Sequence, residues 1–234
     1  MRLDKYLANM GTGTRTEVKN MIRKGNVSVN GEVVKSPEMK VDENADEVCV
    51  NGEGVGFVSN QYIMLHKPAG VVSATEDTKD PTVIDLIDSP IRKELFPVGR
   101  LEKDTEGLLL ITNDGELSHQ LLSPKKHVSK VYYARIEGNV SKEDVKAFSE
   151  GLDLGDFTSM PANLTVLRAG EESEIEVEIF EGKFHQVKRM FEAVGKKVVY
   201  LKRLSMGSLS LDETLAPGEY RLLTEQEIEQ LRRG

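Results

Sequence analysis

Three acidic residues lie close together in the segment GRLEKDTEGLLLITNDG, which covers residues 99–115: Glu102, Asp104 and Glu106. A carboxylate can act as a nucleophile or as a general base, so this cluster is a candidate catalytic site. The same pattern also fits a turn before a buried strand, with the LLLI run in the core and a hairpin turn at 113–115. Acids in such turns commonly cap backbone amides or lie in solvent. From the pattern alone, the role of the three acids stays open.

Metal and disulfide chemistry have little support in this sequence. Cys49 is the only cysteine of the 234 residues, which rules out a disulfide within the chain and a zinc site of the multi-cysteine kind. The four histidines, His66, His119, His127 and His185, lack metal-ligand spacing. We therefore expect no metal site of these kinds.

The composition is that of a globular protein with one or two domains, since 38% of the residues are hydrophobic and 30% are charged. No segment approaches the roughly 18 consecutive apolar residues of a membrane span. The N-terminal MRLDKYLANM lacks the apolar core of a signal peptide. These features predict a cytoplasmic protein with no membrane partner.

Charge is distributed unevenly along the chain. The formal net charge is −8, yet residues 1–40 hold eight Lys and Arg against four acids, a net +4. Residues 182–203 hold seven against one acid, a net +6. Local basic patches attract a phosphate backbone more than total charge does. An RNA partner is therefore compatible with this acidic chain.

The first 55 residues predict a small separate module. Leu3, Leu7 and Met10 have helical spacing. A second helix begins with the capping-box pattern of Thr14 and Glu17. The following VSVNGEVV alternates around Asn-Gly, which is the strongest short hairpin signal.

One side of the second helix carries Arg15, Lys19 and Arg23 in a row four residues apart. In an isolated helix such a row is usually a solvated face. Together with the two helices and the hairpin, however, it resembles the αL RNA-binding motif named after a ribosomal small-subunit protein. The resemblance spans roughly residues 1–50 and implies an RNA-docking module. Residues 42–56 are acidic and contain glycine, which suits a short tie and a linker, so we expect this module at 1–56 and a second domain at 57–234.

From Gln61 onward the pattern changes to strands with helices between them. SEIEVEIF (173–180) alternates as a half-buried strand, and KVYYARI (130–136) is a second strand candidate. QVKRMFEAVG (186–195) has the period of an amphipathic helix, and a capping box at Thr224 begins a final helix. The helices do not alternate regularly with the strands. This predicts an α+β domain on a mostly antiparallel mixed sheet.

Five segments occur in an order that closely resembles the pseudouridine synthases of the RsuA/RluB/RluE/RluF type, above all the RsuA branch, which acts on one uridine of 16S ribosomal RNA. The segments are LHKPAGVVSA (65–74), residues 99–124, KVYYARI, GKFHQVKRMFEAVG (182–195) and residues 201–224. The resemblance covers nearly the whole chain. It implies that a uridine is flipped out of the RNA, that its N-glycosidic bond is cleaved and that the base is rejoined through carbon, without a cofactor or a metal.

The resemblance also assigns roles to individual residues. The catalytic aspartate of the family motif falls on Glu102, the tyrosine that stacks on the base falls on Tyr132, the basic partner of the carboxylate falls on Lys188, and the leucine of the uracil pocket falls on Leu201. Asp104 and Thr105 follow the part of the motif that organises the backbone. Alternative interpretations are simple strand packing for Tyr132 and a solvated helix position for Lys188.

Glu102 departs from the family pattern because glutamate is one methylene longer than aspartate. Misplacement of a reacting group by about 1 Å can cost on the order of 100-fold in rate. We therefore expect a strongly reduced or absent reaction with RNA binding largely intact. A non-catalytic rRNA-binding or ribosome-assembly factor on the same fold is the alternative. A glycosidase with paired carboxylates is rejected, because this chain has no tryptophan for a carbohydrate platform.

The expected partner is ribosomal RNA, specifically 16S RNA, either free or in an assembling small subunit, and the protein is expected to be a monomer. We expect three RNA-binding side chains on the second helix and others near the candidate site. The full set is Arg2, Arg15, Lys19, Arg23, Lys67, Arg100, His185, Gln186, Arg189 and Arg203.

Overall fold

The computed structural model describes residues 1–42, 45–55 and 60–233. The chain forms two compact units, Met1–Ser59 and Asn60–Gly234. The predicted boundary between residues 56 and 57 lies outside the described residues. Within the described parts of the chain, no helix combines the length and the apolar character needed to cross a membrane.

The N-terminal unit packs two helices on a four-stranded antiparallel sheet with the order β2-β1-β3-β4. Its elements are α1 (Leu3–Asn9), α2 (Arg15–Arg23), β1 (Val27–Val29), β2 (Glu32–Val33), β3 (Val48–Val50) and β4 (Glu53–Gly54). Leu3 and Leu7 of α1 and Val18 and Ile22 of α2 are fully buried against the sheet. Burial of these four side chains leaves the polar side of α2 on the surface.

The predicted capping box and Asn-Gly hairpin are both confirmed. Thr14 Oγ1 accepts from the backbone N–H of Glu17 at 3.4 Å, and Glu17 Oε2 accepts from the backbone N–H of Thr14 at 2.8 Å. Asn30 and Gly31 have φ values of 53° and 83°, as a tight hairpin turn with two positive φ angles requires.

The prediction that residues 42–56 serve only as a tie and linker is wrong for 48–54. This segment forms the hairpin of β3 and β4, and β3 pairs with β1 in the sheet. Its turn is a second Asn-Gly pair, Asn51-Gly52, with φ values of 53° and 83°. The surrounding acidic residues hide the short Val-Cys-Val alternation, so composition indicated a linker where pairing with β1 creates a strand.

The second unit is built on a nine-stranded sheet with the path β13-β5-β7-β11-β8-β10-β9, to which β6 and β12 attach at β7 and β11. Its strands are β5 (Tyr62–Lys67), β6 (Phe96–Pro97), β7 (Glu106–Thr112), β8 (Lys130–Glu137), β9 (Asn163–Arg168), β10 (Glu172–Ile179), β11 (Lys197–Met206), β12 (Leu209–Ser210) and β13 (Tyr220–Leu222). Its helices are α3 (Gly115–Leu122), α4 (Lys142–Glu150), α5 (Gln186–Ala193) and α6 (Glu225–Arg233). Among the described strands, β7 and β11 form the one parallel pair, so the predicted mostly antiparallel α+β sheet is confirmed.

Helices cover both faces of the central strands. On one face, Leu108 and Leu110 of β7 pack with Leu117 of α3 and Leu231 of α6. On the other face, Leu109 and Ile111 join the cluster that contains Phe148 of α4 and Phe191 of α5. The LLLI run is therefore core, as predicted, because β7 is buried on both sides.

The hairpin turn expected at 113–115 is absent, because the chain enters α3 at this point. Asp114 is the N-cap of α3, and its Oδ1 accepts from the backbone N–H of Leu117 at 3.0 Å. The same Asn-Asp-Gly triplet suits a hairpin or a helix start, and packing of Leu117 and Leu121 on the sheet favours the helix.

Candidate active site

The loop 99–105, which carries Glu102 and Asp104, is held by hydrogen bonds from two side chains. Lys67, at the end of β5, is fully buried, and its ammonium donates to the carbonyl oxygens of Thr105 at 2.8 Å, Pro68 at 3.0 Å and Lys103 at 3.4 Å. Ser73 Oγ donates to the carbonyl oxygen of Leu101 at 2.8 Å and accepts from its N–H at 3.0 Å. The backbone on each side of Glu102 is therefore fixed.

Close contact between β7 and β11 positions this loop against the rest of the sheet. Gly107 has φ +104°, and a Cβ placed on it would lie 2.2 Å from the carbonyl oxygen of Arg203. Only glycine permits this approach of two backbones. The parallel pairing of Arg203 with Gly107 thus brings the end of the acidic loop beside β11.

Lys188, in the first turn of α5, joins two of the three acids. Its ammonium donates to Glu102 Oε2 and to both carboxylate oxygens of Asp104, at 2.9 Å and 2.8 Å. The side chains of Glu102 and Lys188 are each 22% exposed, whereas that of Asp104 is 71% exposed. His185 Nε2 lies 3.8 Å from Glu102 Oε2. The cluster therefore has an inner carboxylate at Glu102 and an outer one at Asp104.

Ionic contacts determine the protonation of Lys188 and Asp104. Burial works against the charged form of Lys188, but hydrogen bonds to Asp104 and Glu102 and their charges outweigh it and raise the pKa of the lysine. Burial likewise opposes ionisation of Asp104, but Lys188 outweighs it and lowers the pKa of that carboxyl. At neutral pH the lysine is therefore a cation beside an ionised Asp104.

A cavity of about 560 Å³ opens beside Glu102. This volume lies within the range of small-molecule sites in proteins. Tyr132 of β8 and Leu201 of β11 line it and are 8% and 5% exposed. They lie on the same face because Leu201 pairs with Ala134, two residues from Tyr132. The other lining residues are Gly99, Arg100, Leu101, Lys103, Thr105, Leu122, Lys130, Ile179, Gly182, Lys183, Phe184, His185, Gln186, Val187 and Arg203.

The structure thus brings together the four residues expected to take part in catalysis. Glu102, Tyr132 and Leu201 line the cavity, and Lys188 contacts Glu102 from α5. Glu102, which is one methylene longer than the aspartate of the family motif, reaches the ammonium of Lys188. Their catalytic roles remain predictions.

Three of the predicted RNA-binding side chains are buried, and their contact with RNA stays a prediction. Lys67 is fully buried and holds the acidic loop through backbone carbonyls. Gln186 is 4% exposed, and its amide joins the N–H of Lys183 and the carboxylate of Glu181, so it fixes the turn before α5. Arg203 is 3% exposed and lies in the cavity wall, so any contact it makes with RNA is with a base inside the cavity.

Two further arginines are already engaged by acids. Arg189 binds Asp156 and donates to the carbonyl oxygen of Leu154 at 2.6 Å. Arg2 makes two hydrogen bonds of 3.0 Å to Asp4, which is 2% exposed. Contact of either arginine with RNA remains a prediction, although these ion pairs reduce the charge available for it.

The remaining predicted RNA-binding residues are accessible. Arg15 and Arg23 are exposed on α2, and Lys19 between them is half-buried, with its ammonium 3.8 Å from Asp4. Arg100 is exposed at the cavity, and the side chain of His185 is 43% exposed there.

Phe184 belongs to the cavity although the sequence analysis did not select it. It is 75% exposed, and its ring stacks on His185 with centroids 3.7 Å apart and planes at 17°. An exposed aromatic ring beside a nucleotide-sized cavity is suited to stack on a base. The signal was available, because a phenylalanine inside the polar Gly-Lys-Phe-His-Gln turn is unusual.

Comparison with known proteins agrees with this architecture. The family model described as RNA pseudouridylate synthase matches residues 61–193, and the S4 domain model matches residues 1–48. An RNA pseudouridine synthase of Bacillus subtilis, YtzG, is 50% identical over 231 residues, covering 97% of both chains. The ribosomal small subunit pseudouridine synthase A of Vibrio parahaemolyticus is 42% identical over 231 residues, covering 98% of both. A crystal structure of a pseudouridylate synthase matches with a TM-score of 0.70 and 40% identity over 99% of each chain. The chain therefore belongs to the RNA pseudouridylate synthase family, with an S4 domain at its N-terminus.

Proposed function

We propose that this protein converts one uridine of 16S ribosomal RNA to pseudouridine. The observation that carries the proposal is the contact of Lys188 with Glu102 beside a cavity that also contains Tyr132 and Leu201. Relatives named ribosomal small subunit pseudouridine synthase A support the choice of the small-subunit RNA. The protein acts as a cytoplasmic monomer in this proposal, with the RNA free or in an assembling subunit.

The target uridine leaves the RNA stack and enters the cavity, where its base lies on the ring of Tyr132 and against Leu201. Glu102 then faces the ribose, and Lys188 holds its carboxylate through a hydrogen bond. The N-glycosidic bond breaks, its electron pair stays on the base, and the base turns. Its C5 then forms the new bond to C1′, the C5 proton leaves, and N1 takes up a proton. Substrate and product are isomers, so the reaction needs no electron or group carrier.

The length of Glu102 sets the rate in this proposal. Because Lys67 and Ser73 fix the loop backbone, the extra methylene moves the carboxylate farther into the cavity rather than shifting the chain. The family's aspartate would occupy a position about 1 Å closer to the loop. A displacement of that size costs on the order of 100-fold. We therefore expect slow turnover from this protein and faster turnover from Glu102→Asp.

Tritium release from 16S RNA labelled at C5 of uridine tests the proposal directly. Both free RNA and partly assembled particles serve as substrates, and the proteins compared are the wild type, Glu102→Asp and Glu102→Gln. We expect release from the wild type, a higher rate from Glu102→Asp and none from Glu102→Gln, which keeps the size of the side chain without its charge. If none of the three releases tritium although each binds the RNA, the protein is a binding factor.

A faster wild type than Glu102→Asp would mean that the cavity is fitted to glutamate. Glu102 would remain the reacting carboxylate, but the expected rate penalty would be wrong.

A further inference from the structure

Two cations lie buried in the cavity wall without acidic partners. Lys130 and Arg203 are 7% and 3% exposed, and among the described residues neither forms an ion pair. Lys130 Nζ donates to the carbonyl oxygen of Val128 at 2.6 Å, and Arg203 Nε donates to that of Leu108 at 2.8 Å. Arg203 Nη2 has no hydrogen-bond partner in the described part of the chain. Buried charges in proteins are normally paired, so this arrangement is suited to bind an anion.

The strand register aligns the two cations with the tyrosine of the site. Arg203 lies directly opposite Tyr132 in the pairing of β11 with β8, and Lys130 is two residues from Tyr132 on the same buried face. All three line the cavity together with Glu102 and Leu201. Burial, together with the charge of Arg203, lowers the pKa of Lys130 to about 8, so the two cations are close enough to repel each other. A base on the ring of Tyr132 therefore has the cations beside it.

The reaction proposed above produces an anion at this position. When the bond between C1′ and N1 breaks, its electron pair stays on the base, which leaves as the uracil anion. Resonance spreads the charge over N1, O2 and O4. On the sugar side, Glu102 either forms a bond to C1′ or takes the proton from C2′. Both routes release the same uracil anion, so both need its charge to be stabilised.

We propose that Arg203 stabilises the departing uracil anion by donating from Nη2 to a carbonyl oxygen of the base, with Lys130 as a second positive charge. The inference rests on the proposed function, since it assigns a further catalytic residue to that site. A preorganised donor in a site that excludes water stabilises developing charge strongly, and loss of one such donor costs about 100-fold to 1,000-fold in rate. A phosphate of the RNA is an anion too, but the pairing with Tyr132 favours the base.

Binding of free bases tests the inference without any turnover. The probes are 5-nitrouracil, which is an anion at neutral pH, and thymine, which is neutral, each titrated into the full-length protein by calorimetry. We expect the wild type to prefer the anion by about tenfold or more, which corresponds to about 1.4 kcal/mol. Arg203→Met should remove this preference, and Lys130→Met should reduce it. Arg168→Met, which removes an exposed cation of β9, should leave it unchanged.

Thermal unfolding decides whether Arg203→Met is folded. If it is not, Arg203→Lys is the substitute, because it keeps a cation but loses the Nη2 donor, and it should retain part of the preference. A wild type without preference for the anion, or a folded Arg203→Met with the preference intact, would overturn the inference.

Single-turnover kinetics separate this inference from the proposed function. RNA with 5-fluorouridine at the target position carries a better leaving base, since fluorine withdraws electron density. Arg203→Met should slow cleavage of uridine about 100-fold and cleavage of 5-fluorouridine much less. Equal losses on both substrates would reduce Arg203 to a structural role and refute the inference. If the wild type cleaves neither substrate but still selects 5-nitrouracil, the proposed function fails while the anion site stands.

Discussion

The ammonium of Lys188 lies 2.8 Å and 2.9 Å from the two carboxylate oxygens of Asp104, although the two residues are 84 positions apart in the chain. The same ammonium binds Glu102, so a single lysine is hydrogen-bonded to both acids. Only Glu102 lines the cavity, whereas Asp104 is largely exposed. The lysine therefore joins a carboxylate that faces the substrate space to one that faces solvent.

This difference predicts unequal effects of removing Lys188 and of removing Asp104. Lys188→Met should lower the rate of tritium release at least 100-fold, because the inner carboxylate loses its counter-ion in a low-dielectric site. Asp104→Asn should lower it less than tenfold, since Lys188 keeps Glu102 as a partner. A larger loss in Asp104→Asn than in Lys188→Met would contradict the assignment of Glu102 as the reacting acid.

Tyr132 should matter through its ring rather than its hydroxyl. Tyr132→Phe keeps the aromatic face and should retain most of the activity, whereas Tyr132→Ala should abolish it and leave RNA affinity nearly intact. Stacking on a base is worth about 1–3 kcal/mol, but removing the target base from the RNA stack costs a similar amount, so contacts elsewhere on the RNA determine its affinity. Rates and affinities of both variants are measured on the same RNA, with circular dichroism as a check of folding. Full activity in Tyr132→Ala would show that this position is only strand packing.

Lys67 should make the stability of the second unit depend on pH. Burial lowers its pKa to about 8 even though the charges of Asp104 and Glu106 oppose the shift, while an unfolded chain restores a pKa of about 10.4. Between these values the unfolded state binds more protons than the folded state. The contribution of Lys67 to stability therefore rises with pH in that window, by up to about 1.4 kcal/mol per pH unit.

Urea unfolding of the wild type and Lys67→Met at pH 7.5, 8.5 and 9.5 measures this dependence. As the pH rises, the unfolding free energy of the wild type should increase relative to that of Lys67→Met. Lys146→Met, which changes a lysine side chain that is 75% exposed, serves as the control and should give a constant difference. If the unfolding free energies of the wild type and Lys67→Met change equally with pH, the lysine stays protonated in the folded state.

The basic row of α2 should contribute mainly salt-dependent RNA affinity. Replacing Arg15, Lys19 and Arg23 with alanine should weaken binding and reduce the slope of log K against log salt by about two to three, because each phosphate contact releases about one counterion. The matched control replaces Lys146, Arg168 and Arg233, which lie beside acids on the second unit and carry the same total charge. Equal effects of the two triple variants would assign the loss to net charge alone.

Much of the fold was predictable because its signals are local. The capping box of Thr14 and Glu17, the Asn-Gly hairpin at 30–31 and the alternation of 173–180 each involve neighbouring residues, and each element formed as expected. Predictions failed where the same local pattern suits two structures. The triplet at 113–115 caps a helix instead of closing a hairpin, and 48–54 forms a hairpin instead of a linker.

The amino-acid sequence alone was sufficient to identify the family motifs, the two-part organisation and the set of candidate acids, because these depend on residue types and their spacing. Tertiary structure decided which acid faces the cavity, since Lys188 reaches the acidic loop from a helix 86 residues later. It also decided that Lys67, Gln186 and Arg203 are buried. The residue type does not distinguish a basic side chain on the surface from one in a cavity wall. Only the packing of strands from distant parts of the chain determines which of the two it is.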